Sequence, residues 1–223
     1  MENEKDKFET STMRGIRLLH KLLDDYELIQ KMYNTGMVRQ AYKLALDAEQ
    51  KAEKFVILSR NLPAYTGCPT SDADVESIMQ NEIPVEMGYT DQGWFLLRIP
   101  TLLPKKEGGS AEYVRGYLYP AMKRFFLKQE PFRKYSRCVI IYRHIYDQNR
   151  PEREYRDHDN IETNMVTDTV AMFVMEDDCA LKCFHFYCSQ PGDQECTEVY
   201  VLPQEEFQQW VKKEGRFPHE GEK

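Results

Sequence analysis

The spacing of the apolar residues changes once along this chain, and that change limits what it can fold into. In about the first sixty positions, apolar side chains recur every three or four residues, which is the spacing of one face of an α-helix. The stretch NTG at 34–36 interrupts this pattern, and the second part of it is narrow and rich in alanine, which permits close helix packing. The sequence therefore predicts an antiparallel helical hairpin, with helices over about 10–33 and 38–56.

Beyond about residue 80 the pattern is that of short strands and helices. Proline, glycine, serine and aspartate concentrate in LPAYTGCPTSDADVES, which we interpret as a connector. Residues 82–202 then follow the order strand, strand, helix, strand, helix, strand, strand, which predicts an α+β domain with helices packed on one face of a mixed β-sheet. We expect two domains: a helical hairpin with its connector over 1–80, and the α+β domain with a short C-terminal helix over 81–223.

Two β-hairpins are predicted within the α+β domain. The first joins IPVEMGY to WFLLRIPTLL through the turn TDQG. The second joins ALKCFHFYC to CTEVYVL through SQPGDQE, whose proline and glycine favour a turn. A helix is expected from Ser110 to about Lys128, with Pro120 kinking or dividing it. The strand CVIIYRHIY and a helix over IETNMVTDTVAMFVM complete the order.

The composition excludes several classes of protein. No window approaches the roughly 20 uninterrupted apolar residues of a membrane span, and the N-terminus MENEKDKFETSTMRG lacks the apolar core of a secretory signal. We therefore expect a soluble, cytoplasmic protein. Six cysteines occur without a C-x-x-C pair, which favours reduced thiols over a disulfide framework or a zinc site. The net charge of −7 argues against coating nucleic acid through bulk positive charge.

The stretch EYRDHDNIETNMVTDTVAMFVMEDD, residues 154–178, places acidic clusters on both sides of an apolar helical run. Asp157 and Asp159 alternate by two, so an extended backbone points both carboxylates to one side and His158 to the other. Together with Asp178 they could bind a hard cation such as Mg²⁺, which prefers oxygen ligands and can polarise a phosphodiester. The alternative is structural, because Asp159 and Glu162 have the spacing of a capping box and EDD could be an exposed turn.

RDHDN, the helical run and EDD resemble the motifs of RusA-type Holliday-junction resolvases, small phage-encoded endonucleases that cut branched DNA with Mg²⁺. Those proteins carry a D-x-D-N motif at a helix start and a D-D pair after the helix, and the order of elements over 82–202 is also similar. The resemblance implies Mg²⁺ or Mn²⁺ as cofactor and a role in DNA recombination. It assigns catalysis and metal binding to Asp157, Asp159 and Asp178, with Asn160, Asp168 and Asp177 as further motif or acidic positions. The chain is also similar to an uncharacterised family carried on mobile elements of Gram-positive gut bacteria.

One position departs from the RusA-type pattern. Those enzymes have a lysine four residues past the second aspartate, where this chain has Thr163. A lysine there would supply positive charge at the scissile phosphate, a contribution of several kcal/mol at a preorganised site. Lys105, Lys106 or Lys182 would have to replace it.

The length of the predicted helix determines how such a site could close. A straight helix over 160–174 rises roughly 22 Å, which separates Asp159 from Asp178 within one chain. We therefore expect a homodimer in which antiparallel helices bring Asp157 and Asp159 of one copy beside Asp178 of the other. Two equivalent sites of this kind would suit a two-fold symmetric DNA junction.

Basic residues interleaved with aromatic ones are candidate DNA contacts, although a solvated helix face has the same pattern. The candidates are Lys123, Arg124, Lys128, Arg133, Lys134, Arg137 and Arg143 in one segment, and Lys105, Lys106 and Lys182 outside it. The second function that the sequence supports is a catalytically inactive, acidic binding protein of a phage or mobile element that inhibits a host nuclease or defence protein. The acidic charge and Thr163 favour this alternative, whereas the D-x-D-N and D-D spacing favours the endonuclease. The expected partner is branched DNA or a protein, and not a membrane.

Overall fold

The computed structural model describes residues 2–68, 83–129, 134–148 and 156–214. Within these ranges the chain forms five α-helices and a five-stranded mixed sheet, with the first two helices preceding the sheet. The predicted α+β class is therefore confirmed. The chain divides into two compact units, residues 1–75 and 76–223. No helix in the described ranges is long and apolar enough to span a membrane.

The first unit is a helical hairpin of α1 (Glu2–Asn34) and α2 (Val38–Asn61). Gly36 between them has a φ of 77°, a left-handed conformation that commonly ends a helix. Asp25 of α1 accepts a hydrogen bond from Lys51 Nζ at 2.5 Å, and a Cβ on Gly15 would lie 3.1 Å from Leu58 Cδ2. The earlier residue of α1 thus meets the later residue of α2, so the helices run antiparallel, and glycine at position 15 permits their close approach there.

The second unit is built on a sheet with the strand order β1-β2-β5-β3-β4. The strands are β1 (Glu86–Tyr89), β2 (Phe95–Ile99), β3 (Cys138–Asp147), β4 (Cys183–Gly192) and β5 (Cys196–Pro203). β1 and β2 form the predicted hairpin, and Gly93 in its turn has a φ of 80°. Neighbouring strands are antiparallel except β3 and β4, which are parallel.

The prediction of a second hairpin, between β4 and β5, is wrong. β3 lies between these strands and pairs with both, opposing Cys183–Gly192 on one side and Cys196–Pro203 on the other. The link of residues 193–195 instead crosses the end of β3. Strands two positions apart are separated by roughly 10 Å, which three residues and their flanking peptides can span. The turn residues in SQPGDQE fit this short crossing as well as they fit a hairpin.

Helices cover both faces of the sheet, so the prediction that they pack on one face is wrong. The remaining helices are α3 (Ser110–Leu127), α4 (Asn164–Val174) and α5 (Phe207–Glu214). On one face, the ring of Phe126 in α3 lies 5.9 Å from Phe95 of β2 and 5.4 Å from Phe173 of α4. On the other face, Trp210 of α5 is fully buried against β3 and β5. Pro120 lies inside α3 without dividing it.

Candidate functional site

The D-x-D-N motif forms a tight turn before α4. Asp157 has an extended backbone, and His158–Asn160 form a single 3-10 turn in which the Asn160 N–H donates to the Asp157 carbonyl at 3.1 Å. The side chains of Asp157 and Asp159 are exposed, as the alternation predicts. Both carboxylates are therefore accessible to solvent on one short segment.

The capping-box interpretation of Asp159 is wrong. It requires the helix to begin at residue 160, whereas α4 begins at Asn164. Glu162 takes over the capping role, because its Oε1 accepts the N–H of Met165 at 3.2 Å and its Oε2 accepts the Ser110 hydroxyl at 2.9 Å. The exposed carboxylate of Asp159 thus has no role in starting this helix.

A basic loop lies along the motif. The Lys106 N–H donates to the Asn160 carbonyl at 2.7 Å, and the Glu162 N–H donates to the Pro104 carbonyl at 2.9 Å. Lys105 and Ile161 form the antiparallel bridge between these two bonds. Residues 104–106 and 160–162 are therefore neighbouring extended segments, which sets two lysines beside the D-x-D-N turn. No local pattern in the sequence signals this pairing.

His158 points inward, opposite to the two aspartates. Its ring stacks on His144 of β3 at 5.5 Å and lies 5.5 Å from the ring of Tyr187 in β4. Burial lowers the pKa of His158, against the opposing effect of the charges on Asp157 and Asp159. The motif is thus anchored to the sheet through an aromatic stack, while its acids face solvent.

His144 at the base of this stack is fully buried. Its Nδ1 lies 3.4 Å from the Thr197 hydroxyl, which itself donates to the Thr101 carbonyl at 3.0 Å. Because the Thr197 hydroxyl uses its hydrogen in that bond, it accepts one from His144, so the proton of the His144 ring is assigned to Nδ1. In the described part of the chain, Nε2 has no hydrogen-bond partner. Burial, followed by the positive charges of His158 and Arg156, lowers the pKa of His144 to about 4, so the ring is neutral at pH 7.

A second acidic group lies farther along α4. Asp168 is an exposed residue of this helix, and its pKa is raised by partial burial and then by the negative charges of Asp178 and Glu162. Asp178 therefore lies within electrostatic range of Asp168. This means that the chain turns back beside α4 after the helix ends at Val174.

The acids next to Asp178 are engaged locally. Asp177 Oδ1 accepts the Cys179 N–H at 3.1 Å, and this hydrogen bond, followed by the charge of Lys182, lowers the pKa of Asp177. Lys182 Nζ lies 3.9 Å from both Asp177 Oδ2 and Glu176 Oε2. A positive charge is thus present beside this second acidic group as well.

The predicted metal trio does not form within one chain. The acids fall into two groups, with Asp157 and Asp159 in the turn and Asp168 near Asp178. Across all four described ranges, no three His, Cys, Asp or Glu side chains are placed to hold a metal ion together. Mg²⁺ commonly takes only one or two protein carboxylates and completes its shell with water and phosphate. Each group therefore has suitable donor chemistry, but the three predicted ligands are not brought together.

Thr163, at the position of the RusA-type lysine, is buried. Its carbonyl accepts the Tyr142 hydroxyl at 3.1 Å and the Thr167 N–H at 2.9 Å. The residue thus connects β3 to α4 in the core, and it contributes no positive charge to the surface.

The other predicted DNA contacts differ in exposure and in the partners that they contact. Lys123, Lys128 and Arg137 are exposed, Arg124 is half-buried, and Arg133 lies outside the described residues. Lys134 Nζ donates to the Met172 carbonyl near the end of α4 at 2.6 Å. The prediction that Arg143 contacts DNA is wrong, because Arg143 is buried and forms an ion pair with Glu198.

Replacing Asp168 by asparagine should stabilise the protein at pH 7 in the absence of divalent cations. The raised pKa shows that the ionised form of Asp168 is disfavoured in the fold, so removing its charge relieves the cost of its partial burial and then the repulsion with Asp178. Because this site is largely solvated, we expect a gain of at most about 0.5 kcal/mol. Urea unfolding of wild type and variant, with Asp91→Asn in the β1–β2 turn as the control, measures it. A loss of stability on Asp168→Asn alone would contradict this account.

The fold and these contacts define an α+β protein with an N-terminal helical hairpin. Its solvent-facing acids lie in two groups near α4, the helix that connects the parallel strands β3 and β4. The chain belongs to the family of unknown function DUF6100, whose model matches residues 5–220. The match covers the hairpin as well as the sheet. Searches of curated proteins and of solved structures find no match.

Proposed function

We propose that this protein is a RusA-like, Mg²⁺- or Mn²⁺-dependent endonuclease of the cytoplasm that cuts branched DNA. The observation that carries the proposal is the pairing of residues 104–106 with residues 160–162. This pairing places Lys105 and Lys106 beside the D-x-D-N turn. A metal site built from carboxylates that acts on DNA needs a positively charged side chain at this position. These lysines can replace the charge that the RusA-type pattern has at Thr163.

The residues that would hold the metal are Asp157 and Asp159, with Asp178 as the third ligand. When bound, the cation supplies a Lewis acid that polarises the phosphodiester. Since the two acidic groups are separate in one chain, we propose that Asp178 is contributed by a second copy in a homodimer. Exposed Lys123, Lys128 and Lys134 would then follow the phosphate backbone beyond the cut.

Purified protein should cut a labelled four-way DNA junction in the presence of Mg²⁺ or Mn²⁺. Asp159→Asn should reduce the rate at least about a hundredfold, because it removes a carboxylate that holds the metal charge at the phosphate. Asp91→Asn, an exposed acid in the β1–β2 turn, is the matched control and should cut at the wild-type rate. Equal rates for Asp159→Asn and wild type would exclude the assigned site.

The second candidate is a catalytically inactive acidic protein that binds a host nuclease or defence protein. Two observations favour it: the separation of the two acidic groups within the chain and the burial of Thr163 at the lysine position. This function predicts no junction cleavage by the wild type with either cation. It also predicts no rise in melting temperature on adding Mn²⁺, whereas a metal-binding site stabilises the folded state by mass action.

A further inference from the structure

The helical hairpin has an exposed second seam with the period of a coiled coil. The residues of α1 that are buried or half-buried beside α2 recur at alternating steps of three and four: Gly15, Leu18, Leu22, Asp25, Ile29 and Met32. Another set with the same steps follows one position later and is exposed throughout: Ile16, Leu19, Leu23, Tyr26, Gln30 and Tyr33. A spacing of 3.5 residues sustained over three turns or more is that of a helix packed along another helix.

A similar spacing is present in α2. Its residues toward α1 are Ala41, Leu44, Ala48, Lys51, Phe55 and Leu58. The set one position later, extended back one turn to Val38, has three exposed members, Val38, Ala45 and Val56, and three half-buried ones, Tyr42, Glu49 and Ala52. In an antiparallel pair, equivalent heptad positions lie on the same side of both helices, because a two-fold axis normal to the pair relates them. The later sets of α1 and α2 therefore form one continuous surface of the hairpin, which we call the apolar face.

The reverse side of the hairpin has the opposite character. Apart from exposed Leu28 and buried Ile57, it is lined mostly by exposed charged residues of both helices: Arg14, Arg17, Lys21, Asp24, Lys31, Lys43, Asp47 and Lys54. A solvated two-helix hairpin needs one apolar seam, between its helices, and polar residues elsewhere. The apolar face is thus more than this hairpin requires, and large exposed apolar patches of this kind mark interaction sites.

The area of the apolar face matches what one partner contributes to a stable dimer. Ile16, Leu19 and Leu23 are 42%, 47% and 59% exposed, and Tyr26 and Tyr33 are 63% and 66% exposed. On α2, Val38 and Val56 are 57% and 42% exposed. Aromatic side chains bury roughly 150–250 Å² each and aliphatic ones less, so the exposed parts of these seven amount to at most about 800 Å². One partner of a standard-size interface buries about 800 Å².

We infer that the apolar face binds the apolar face of a second copy of this chain, forming a four-helix bundle. The two seams of α1 are one residue apart and therefore point about 100° apart around the helix axis. In a four-helix bundle each helix contacts its two neighbours at close to a right angle, so this angle fits. A two-fold axis through the midpoint of the exposed seam, between Asp24 and Asp25, sets Leu23 against the partner's Tyr26. It also sets Ile16 against the partner's Tyr33, and Leu19 against the partner's Gln30.

Under this two-fold axis, four of the six positions of the exposed α1 seam pair an apolar residue with an apolar residue. A seam that matches itself under a two-fold axis is what a closed homodimer requires.

Sedimentation equilibrium of the full chain, without DNA or divalent cations, tests this inference. The wild type should be a dimer at concentrations on the order of 10 µM, as expected for an interface of this size. Leu23→Ala combined with Tyr26→Ala should raise the dimer dissociation constant at least about tenfold, because central apolar contacts dominate such interfaces. Alanine preserves helix propensity, so the helical circular dichroism signal should be unchanged.

Lys21→Ala combined with Lys43→Ala, on the charged side of the hairpin, is the matched control and should dimerise like the wild type. A wild type that remains monomeric at about 50 µM would overturn the inference by itself, since standard-size interfaces associate well below that concentration. Equal dimerisation of wild type and Leu23→Ala/Tyr26→Ala would overturn it too. The inference does not rest on the proposed nuclease activity, because neither the measurement nor the variants involve the acidic site.

Discussion

Replacing Arg143 by methionine should destabilise the α+β unit by about 3–5 kcal/mol, the usual cost of removing one partner of a buried ion pair. Arg143 is 8% exposed, its Nε donates to Glu198 Oε2 at 2.8 Å, and its Nη2 donates to the same carboxylate and to the Tyr200 hydroxyl. Its Nη1 donates to the Glu214 carbonyl at 3.0 Å, at the end of α5. Methionine would leave Glu198 charged and buried, with Arg98 Nε at 3.9 Å as its closest remaining cation among the described residues.

The double variant Arg143→Met/Glu198→Met separates the charge effect from a packing defect. With both charges removed, the site becomes an apolar one of similar volume, so most of the lost stability should return. Urea unfolding monitored by tryptophan fluorescence can measure all the variants, because Trp210 packs against this pair with its ring 5.9 Å from the Arg143 guanidinium. A double variant no more stable than Arg143→Met would show that shape, and not charge, explains the loss.

Lowering the pH from 7 to 4 should cost the folded protein about 3 kcal/mol through His144 alone. The pKa of His144 is about 4 in the fold, compared with about 6.5 in an unfolded chain. Above pH 6.5 the ring is neutral in both states. Between these values the unfolded state binds a proton that the folded state does not, so stability falls as the pH falls, and the loss ends below about pH 4.

Unfolding free energies of wild type and His144→Phe, measured between pH 7 and pH 4, isolate this contribution. The charged groups facing His144 are His158 and Arg156, and both remain in the variant. Carboxylates that titrate in this range also remain, so they cancel in the difference between the two proteins. That difference should change by about 3 kcal/mol in favour of the variant as the pH falls. Parallel pH profiles would show that His144 accepts a proton freely in the fold.

Elements that depend on local pattern were predictable from the sequence, and pairings between distant segments were not. The three- and four-residue spacing indicates the hairpin because one helix face alone produces it. The position of β3 between β4 and β5 depends instead on which strand meets which, and the turn SQPGDQE is compatible with either pairing. Arg143 shows the same limit, since a charged residue in CVIIYRHIY predicts exposure unless its partner, 55 residues away, is known.

The same distinction between local pattern and distant pairing applies to the candidate site. The alternation in RDHDN predicts the outward acids and the inward His158, because it depends only on backbone geometry. The start of α4 was predicted too early because Asp159 and Glu162 match a capping box, whereas Glu162 caps the helix from just before its first turn. The placement of Lys105 and Lys106 beside the motif depends on two backbone hydrogen bonds between distant segments, which no local pattern reports.

The last strand of the described residues is also a central one, since β5 lies between β2 and β3. During synthesis, β1 with β2 and β3 with β4 can form only two separate ribbons, each with an open edge that β5 later fills. The sheet can therefore close only after residues 196–203 have left the ribosome. Truncated chains ending before residue 196 would expose the unpaired edges of β2 and of the longer, buried strand β3, and would be prone to aggregation.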